Sequence, residues 1–230
     1  MRLKELREEV LEANLELVRR GLVLYTFGNV SGINREEGVI AIKPSGVDYA
    51  TMKASDIVLT DLKGTVVEGT LRPSSDLPTH VVLYDKFPGI GGVAHTHSES
   101  ATAWAQARRP IPCFGTTHAD YFYGSIPVTD CLSPKEIEGE YEKNTGLAIA
   151  KTFSGIPAES MPAVLVANHG PFTWGTSATD AAHNSAILET VARMAFYTVG
   201  LNSSAGPVSK ELQDKHYFRK HGSNSYYGQK

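Results

Sequence analysis

Three histidines in this 230-residue chain are spaced for metal binding. His95 and His97 stand one residue apart at the end of PGIGGVAH (88–95), a run that reads as a buried strand. Residues two apart on a strand point to the same face with Cα atoms roughly 6 to 7 Å apart, so both imidazoles can converge on one ion. A pair of this kind also arises by chance among core and surface histidines. A second run, Ala163–Ala167 followed by Asn168, His169 and Gly170, strengthens the reading, because an adjacent strand would bring a third imidazole to the same rim. Three protein ligands and an open fourth position are what a catalytic zinc keeps.

Three small-residue segments in the amino-terminal half are candidate anion loops: FGNVSG (27–32), KPSG (43–46) and PSSD (73–76). The first contributes Gly28, Asn29 and open backbone N–H groups, the second Lys43, Ser45 and Gly46, and the third Ser74 and Ser75 at a predicted helix start that favours phosphate. Each alone is more often a plain turn or cap; beside a metal they point to a phosphorylated small molecule. Asp76, Glu99, Asp120, Tyr123, Tyr226 and Tyr227 are the acid and base candidates. Most such groups in any protein are solvated surface, but Asp120 lies among aromatics in GTTHADYFYG (115–124), away from charged helix faces, where a carboxyl group can be perturbed.

The elements that must position these groups follow from periodicity. Leu3, Leu6, Val10, Leu17 and Val18 form one side of an amphipathic helix that stops at Gly21. Gly38–Ile42, Asp56–Thr60 and Thr65–Val67 read as short strands of a meandering sheet. Helices are predicted from the Ser74–Asp76 start through Tyr84, from Ser98 to about Arg108, and from the Ser133, Pro134, Glu136 capping box through Ile137, Tyr141, Ala148 and Ile149. A long helix over 179–199 turns Ile187, Leu188, Val191, Met194 and Ala195 inward; from Lys210 onward the tail alternates charge and aromatics.

Composition narrows the classes. With 41% apolar residues, no repeats and no linker-like tract, the chain is expected to fold as one domain over 1–230. No apolar run approaches a membrane span and MRLKELREEV lacks a secretory core, so a cytoplasmic protein without a membrane partner is expected. Lys and Arg number 22 against 25 acidic residues, with no basic run to suggest nucleic acid. Cys113 and Cys131 have no CxxC spacing and read as reduced thiols. Neither GxGxxG after a first strand nor GxxxxGK is present, which leaves the nucleotide-binding folds without support.

The motifs GNVSG (28–32), IKPSGVDY (42–49), PSSDLPTH (73–80), VAHTHS (93–98), GTTHADYFYG (115–124), NHGPF (168–172) and DKHYFRKHG (214–222), with YYGQ at 226–229, resemble the class II aldolase and adducin-head family nearly from end to end. The resemblance implies an α/β fold, three-layer α/β/α with a central, largely antiparallel sheet, assembled as a homotetramer with active sites between neighbouring subunits. It implies Zn2+ on His95, His97 and His169, with Asp76 as a fourth ligand, in a site that Mn2+ or Co2+ would also fit. Aspartate rather than glutamate at 76 favours the epimerase branch over the aldolases. Gly28, Asn29, Lys43, Ser45, Gly46, Ser74 and Ser75 match substrate and phosphate positions, and His216 a further histidine near the site. Asp120 and Tyr227, the latter from an adjacent subunit, match the acid/base pair.

The implied activity is interconversion of L-ribulose 5-phosphate and D-xylulose 5-phosphate, with L-arabinose (pentose) catabolism as the setting. The carbon to be inverted bears no acidic hydrogen, so the C3–C4 bond must open in a retroaldol step and re-form on the other face of the aldehyde. Two acid/base groups on opposite sides are then required. Tyr227 as a base would need a nearby cation, for which Arg219, Lys220 and His221 are candidates. Three alternatives share parts of this pattern. A sugar-phosphate aldolase would release the aldehyde, an adducin-head interaction module would lack the metal, and a zinc hydrolase would release inorganic phosphate.

Overall fold

The computed structural model describes residues 2–222 together with Ser225 and Tyr226. Seven strands form one sheet in the order β4-β3-β2-β1-β5-β7-β6. They are β1 (Asn29–Asn34), β2 (Val39–Ile42), β3 (Val58–Asp61), β4 (Val66–Glu68), β5 (Gly92–His95), β6 (Ala163–Leu165) and β7 (Pro171–Gly175), and every neighbouring pair is antiparallel. The three-layer α/β/α expectation holds.

Alternation along the strands builds two cores. Val30, Val39, Ala41, Leu59 and Ala94 face one side, where they pack with Val10, Ala13 and Leu17 of α1 (Lys4–Arg19) and the first turns of α7 (Ala178–Leu201). Ile40, Ile42, Val58, Val93, Phe172 and Trp174 face the other side. There they pack with α2 (Leu77–Lys86), α3 (Glu99–Gln106), α6 (Tyr141–Thr152) and the later turns of α7. Two short helices, α4 (Thr116–Ala119) and α5 (Pro134–Glu138), and the carboxy-terminal α8 (Lys210–Lys220) complete the order; α8 lies against α4.

Several expectations are corrected. Residues 29–32 of the FGNVSG segment belong to β1, the strand beside β5, rather than to a loop. Pro171–Gly175 is a strand and the 210–220 tail a helix, neither anticipated from periodicity. The capping box at Ser133 forms, but the helix it opens ends at Glu138 and α6 starts afresh at Tyr141. Val18 and Met194, expected inward, are exposed.

One close approach fixes β5 against α7. Gly92 sits beneath the start of α7, where an added Cβ would run into the backbone of Ser177 and Ala178. Backbone cannot swing aside as a flexible side chain does, so Gly92→Ala is expected to lower unfolding free energy by about 3 kcal/mol in urea denaturation. A loss below about 0.5 kcal/mol, the range of a neutral surface change, would contradict this contact.

Candidate metal centre and phosphate cavity

The site begins with register. Asn29 of β1 pairs with His95 of β5, and His95 pairs with Phe172 of β7, so all three side chains share one face. The His95 ring stacks on Phe172 with centroids 4.2 Å apart and planes 16° from parallel. His95 Nδ1–H donates to the Pro171 carbonyl at 2.9 Å, which fixes the tautomer and leaves Nε2 as a bare ligand nitrogen. His97, two residues on, brings its Nε2 to 3.1 Å from His95 Nε2.

His169 reaches the pair by a different route from the one anticipated. β7 lies between β5 and β6, so His169 is not at the end of an adjacent strand; it sits in the turn that joins β6 to β7. Asn168 takes a positive φ of 62° to make that turn, a conformation asparagine tolerates better than most residues. The His169 Nδ1 lies 3.3 Å from the Tyr141 hydroxyl. One ligand atom from each of His95, His97 and His169 then lies within 4.8 Å of the others. Tetrahedral ligation at zinc–nitrogen distances asks for roughly 3.3 Å between nitrogens, so the triad needs only small adjustments to close on an ion. Burial, then the neighbouring histidines, push the His169 pKa down to about 4, and the same causes lower that of His97. Neutral imidazoles are the form a divalent metal takes, so the donor set fits a borderline cation such as zinc.

These histidines open onto a cavity of about 400 Å³, within the range of small-molecule sites. Gly28, Asn29, Lys43, Ser45, Gly46, Ser74, Ser75 and Asp76 line it, so the three small-residue segments do meet the histidines. Backbone bonds join the second and third segments: Ser45 N–H donates to the Arg72 carbonyl and Ser74 N–H to the Lys43 carbonyl, each at 2.9 Å. Gly28, at φ +80°, passes so close to the His95 carbonyl that an added Cβ would lie 2.9 Å from it.

Asp76, at the start of α2, accepts a hydrogen bond from Asn29 Nδ2 at 2.7 Å and lies outside the tight histidine cluster. Burial works to raise its pKa, but the nearby histidines and the Asn29 bond prevail and hold the carboxyl below its ordinary range. Lys43 is buried, with Nζ 4.6 Å from the Tyr49 ring centre, and burial lowers its pKa against the weaker pull of Asp48. A buried ammonium whose hydrogen bond, among the described residues, runs only to the Pro44 carbonyl suits an anionic ligand. Asn29 Oδ1 is also buried without a partner, an acceptor aimed at no protein donor.

Asp120 and His216 do not line this cavity. Asp120 ends α4 and faces α8, where Arg219 grips its carboxylate with two bonds of 3.0 and 2.8 Å, His216 Nδ1–H donates at 3.0 Å and Lys220 lies 3.8 Å away. The expectation that it avoids charged helix faces is therefore wrong. Burial opposes ionisation, yet Arg219 and His216 hold its pKa below the ordinary value. His221, expected as a cation beside Tyr227, donates to the Asp120 carbonyl. Tyr123 donates to Asp214 at 2.6 Å, Glu99 lies in the first turn of α3, Tyr226 is exposed, and Tyr227 lies outside the described residues. Sequence reasoning missed Tyr141 and Glu142, which line the cavity, and Tyr49, which donates to the Phe27 and Gly28 carbonyls. No sequence signal set Tyr141 apart: it lies in a run read as one continuous helix, and the structure breaks that helix so that Tyr141 opens α6 beside His169.

Residues 8–196 match the Class II Aldolase and Adducin N-terminal domain family, and the chain belongs to that family. It is 53% identical over 228 residues to the L-ribulose-5-phosphate 4-epimerase UlaF of Salmonella paratyphi B, covering 99% of this chain and 100% of that protein. The protein of the same name from Salmonella typhi matches at the same identity and coverage. Among solved structures, an L-fuculose 1-phosphate aldolase superposes with a TM-score of 0.81 at 27% identity, over 94% of this chain and 95% of that one.

Two outcomes follow. Tyr141→Phe removes the hydroxyl beside His169 and is expected to weaken divalent-metal binding about tenfold in chelator competition, with the unfolding midpoint little changed. Asp120→Asn removes the carboxylate that Arg219 and His216 grip and is expected to speed proteolysis within 210–220. Because the folded pKa of Asp120 lies below its unfolded value, its contribution to docking α8 is full above that unfolded value. The contribution is lost as pH falls through the folded value, so in the wild type the same protease sites should open only in acid. Equal cleavage of both proteins at neutral pH would remove Asp120 from that role.

Proposed function

We propose that the chain is a metal-dependent 4-epimerase interconverting L-ribulose 5-phosphate and D-xylulose 5-phosphate. The observation that carries this reading is the meeting, in one cavity, of three converging imidazoles with a buried lysine and two serine-bearing loops. The names of relatives 53% identical across the chain support the same substrate pair. The proposal includes one domain over 1–230, zinc as the metal with manganese or cobalt as substitutes, and a homotetramer in the cytoplasm that serves breakdown of L-arabinose and related pentoses. Among the described residues, no helix is long and apolar enough to cross a membrane.

A divalent cation on His95, His97 and His169, with Asp76 beside them, supplies a Lewis acid for the charge that develops when the C3–C4 bond opens. Lys43, Ser45, Gly46, Ser74 and Ser75 hold the phosphate, which keeps the two-carbon aldehyde fragment in the cavity while it turns its other face. Asn29 Oδ1, buried without a protein donor, accepts from a substrate hydroxyl. Asp120 and Tyr227 move protons at the C4 oxygen from opposite sides. The Asp120 carboxylate lies outside its own chain's cavity, so in this reading a second copy brings it, with His216, to the rim.

The test is incubation of the metal-loaded protein with L-ribulose 5-phosphate. D-xylulose 5-phosphate should accumulate with the five-carbon pool conserved, cease on chelation and resume when zinc is restored. Asp120→Asn and Tyr227→Phe should each lower kcat by about 10²- to 10⁴-fold, and Lys43→Met should chiefly raise KM. Release of free glycolaldehyde phosphate as the main product would make the protein an aldolase; release of inorganic phosphate would make it a hydrolase.

A further inference from the structure

Asp76, His80 and Tyr84 recur every four residues on α2, so they share one stripe of the helix. Side chains of a helix lean toward its amino terminus, which carries Tyr84 toward His80 and His80 toward Asp76. Ser31 of β1 projects into this stripe: its Oγ lies 2.8 Å from the Tyr84 hydroxyl and 2.7 Å from His80 Nδ1. Ser31 and His80 are fully buried, and Tyr84 is nearly so.

The chain of hydroxyls has a direction. The Asp76 carboxylate pulls on the His80 ring and favours the tautomer with its proton on Nε2, which makes Nδ1 an acceptor and Tyr84 the outer donor of the chain. Ser31 then donates to His80 Nδ1, which leaves the proton of the neutral ring on Nε2. That N–H is buried without a partner. Of the four buried side-chain atoms without one among the described residues, His80 Nε2 and Asn29 Oδ1 both belong to neighbours of Asp76. The His80 ring also meets Phe172 edge-on at 6.1 Å, and Phe172 is the surface on which His95 stacks.

We propose that Tyr84, Ser31 and His80 form a buried relay that positions Asp76 at the metal centre, with the His80 Nε2–H as the donor held behind the carboxylate. His80 is thus a positioning residue, and the two hydroxyls hold its ring by the Nδ1 edge. This rests on the metal reading of the histidine cluster.

The test uses Co2+ as the probe, with binding followed by chelator competition and by the visible spectrum of the loaded protein. Ser31→Ala and Tyr84→Phe keep strand and ring while removing one hydroxyl each. Ser31→Ala is expected to weaken Co2+ binding about tenfold and to shift the visible bands, and Tyr84→Phe to do the same to a smaller extent. In an Asp76→Asn background the effect of Ser31→Ala should vanish, because the relay acts through that carboxylate. Unchanged affinity and spectrum in both variants, with only the melting temperature lowered, would reduce the trio to core packing and overturn the relay. An undiminished Ser31→Ala effect with asparagine at 76 would overturn it as well. Failure of the wild-type protein to bind Co2+ at all would instead remove the metal reading and the relay with it.

Discussion

The site depends on the cross-strand register that sets Asn29, His95 and Phe172 in one row over β1, β5 and β7. Because side chains alternate faces, a slip of one residue in either pairing would send His95 into the core packed by α1 and leave Ala94 facing α2. The row has support on both flanks. Phe172 stacks beneath the His95 ring, and Asn29 reaches forward to hold Asp76. The other two histidines take their positions from the same strands: His97 follows β5 by two residues, and His169 lies in the hairpin turn that leads into β7. Metal geometry is therefore a property of the sheet, with loops as short extensions of it.

The two groups of charged residues with a part in this chemistry are built on opposite principles. Around Asp120 the charges are matched: Arg219 meets the carboxylate with a two-bond fork, and His216 and Lys220 add to it. Such an arrangement anchors α8 and keeps the carboxylate ionised. In the cavity the charges are unmatched. Among the described residues, Lys43 is buried with a hydrogen bond only to a backbone carbonyl, Asn29 Oδ1 has no donor, and three lone-pair-bearing imidazoles crowd together. Buried polar groups left without partners destabilise a fold unless a ligand completes them, and here the missing pieces are a cation at one end and an anion at the other. The proposed metal and phosphorylated substrate would supply both.

Much of this was legible from residue types because local chemistry and global fold agree. The His-x-His pair required only the two-residue period of a strand, and the serine-bearing segments required only the turn preferences of glycine and proline. What was hidden has physical causes. Residues 27–32 read as a loop because glycine, serine and asparagine are poor strand formers; over 29–32, tertiary pairing on both sides with β2 and β5 overrides that weak preference. Pro171–Gly175 begins with a proline, which usually speaks against a strand, but it stands at the first position where its missing N–H is tolerated. The 210–220 helix shows little amphipathic signal because its docked side joins one buried aromatic, Tyr217 against Tyr123, to polar contacts, chiefly those of Arg219 and His216 with Asp120. Met194 and Val18 look like core residues by type, and nothing in a single sequence distinguishes an apolar side chain turned inward from one left at the surface.

The polar stripe on α2 gives the fold an asymmetry that packing alone does not explain. His80 and Ser31 are buried in the layer that also holds Leu83, Phe87 and Trp174, where apolar side chains would pack without orphaned atoms. Replacing a buried polar network by well-packed hydrophobic residues is often neutral or stabilising, so stability is a weak reason for its presence. The stripe runs from the core to one destination, the carboxylate beside the histidines. Side chains that make a core less favourable and end at a binding centre belong to that centre in their physical logic, much as hydrogen-bond partners behind metal ligands do. By this argument the functional unit extends at least two helical turns inward from Asp76, and the boundary between core and site passes behind Tyr84 rather than at the cavity wall.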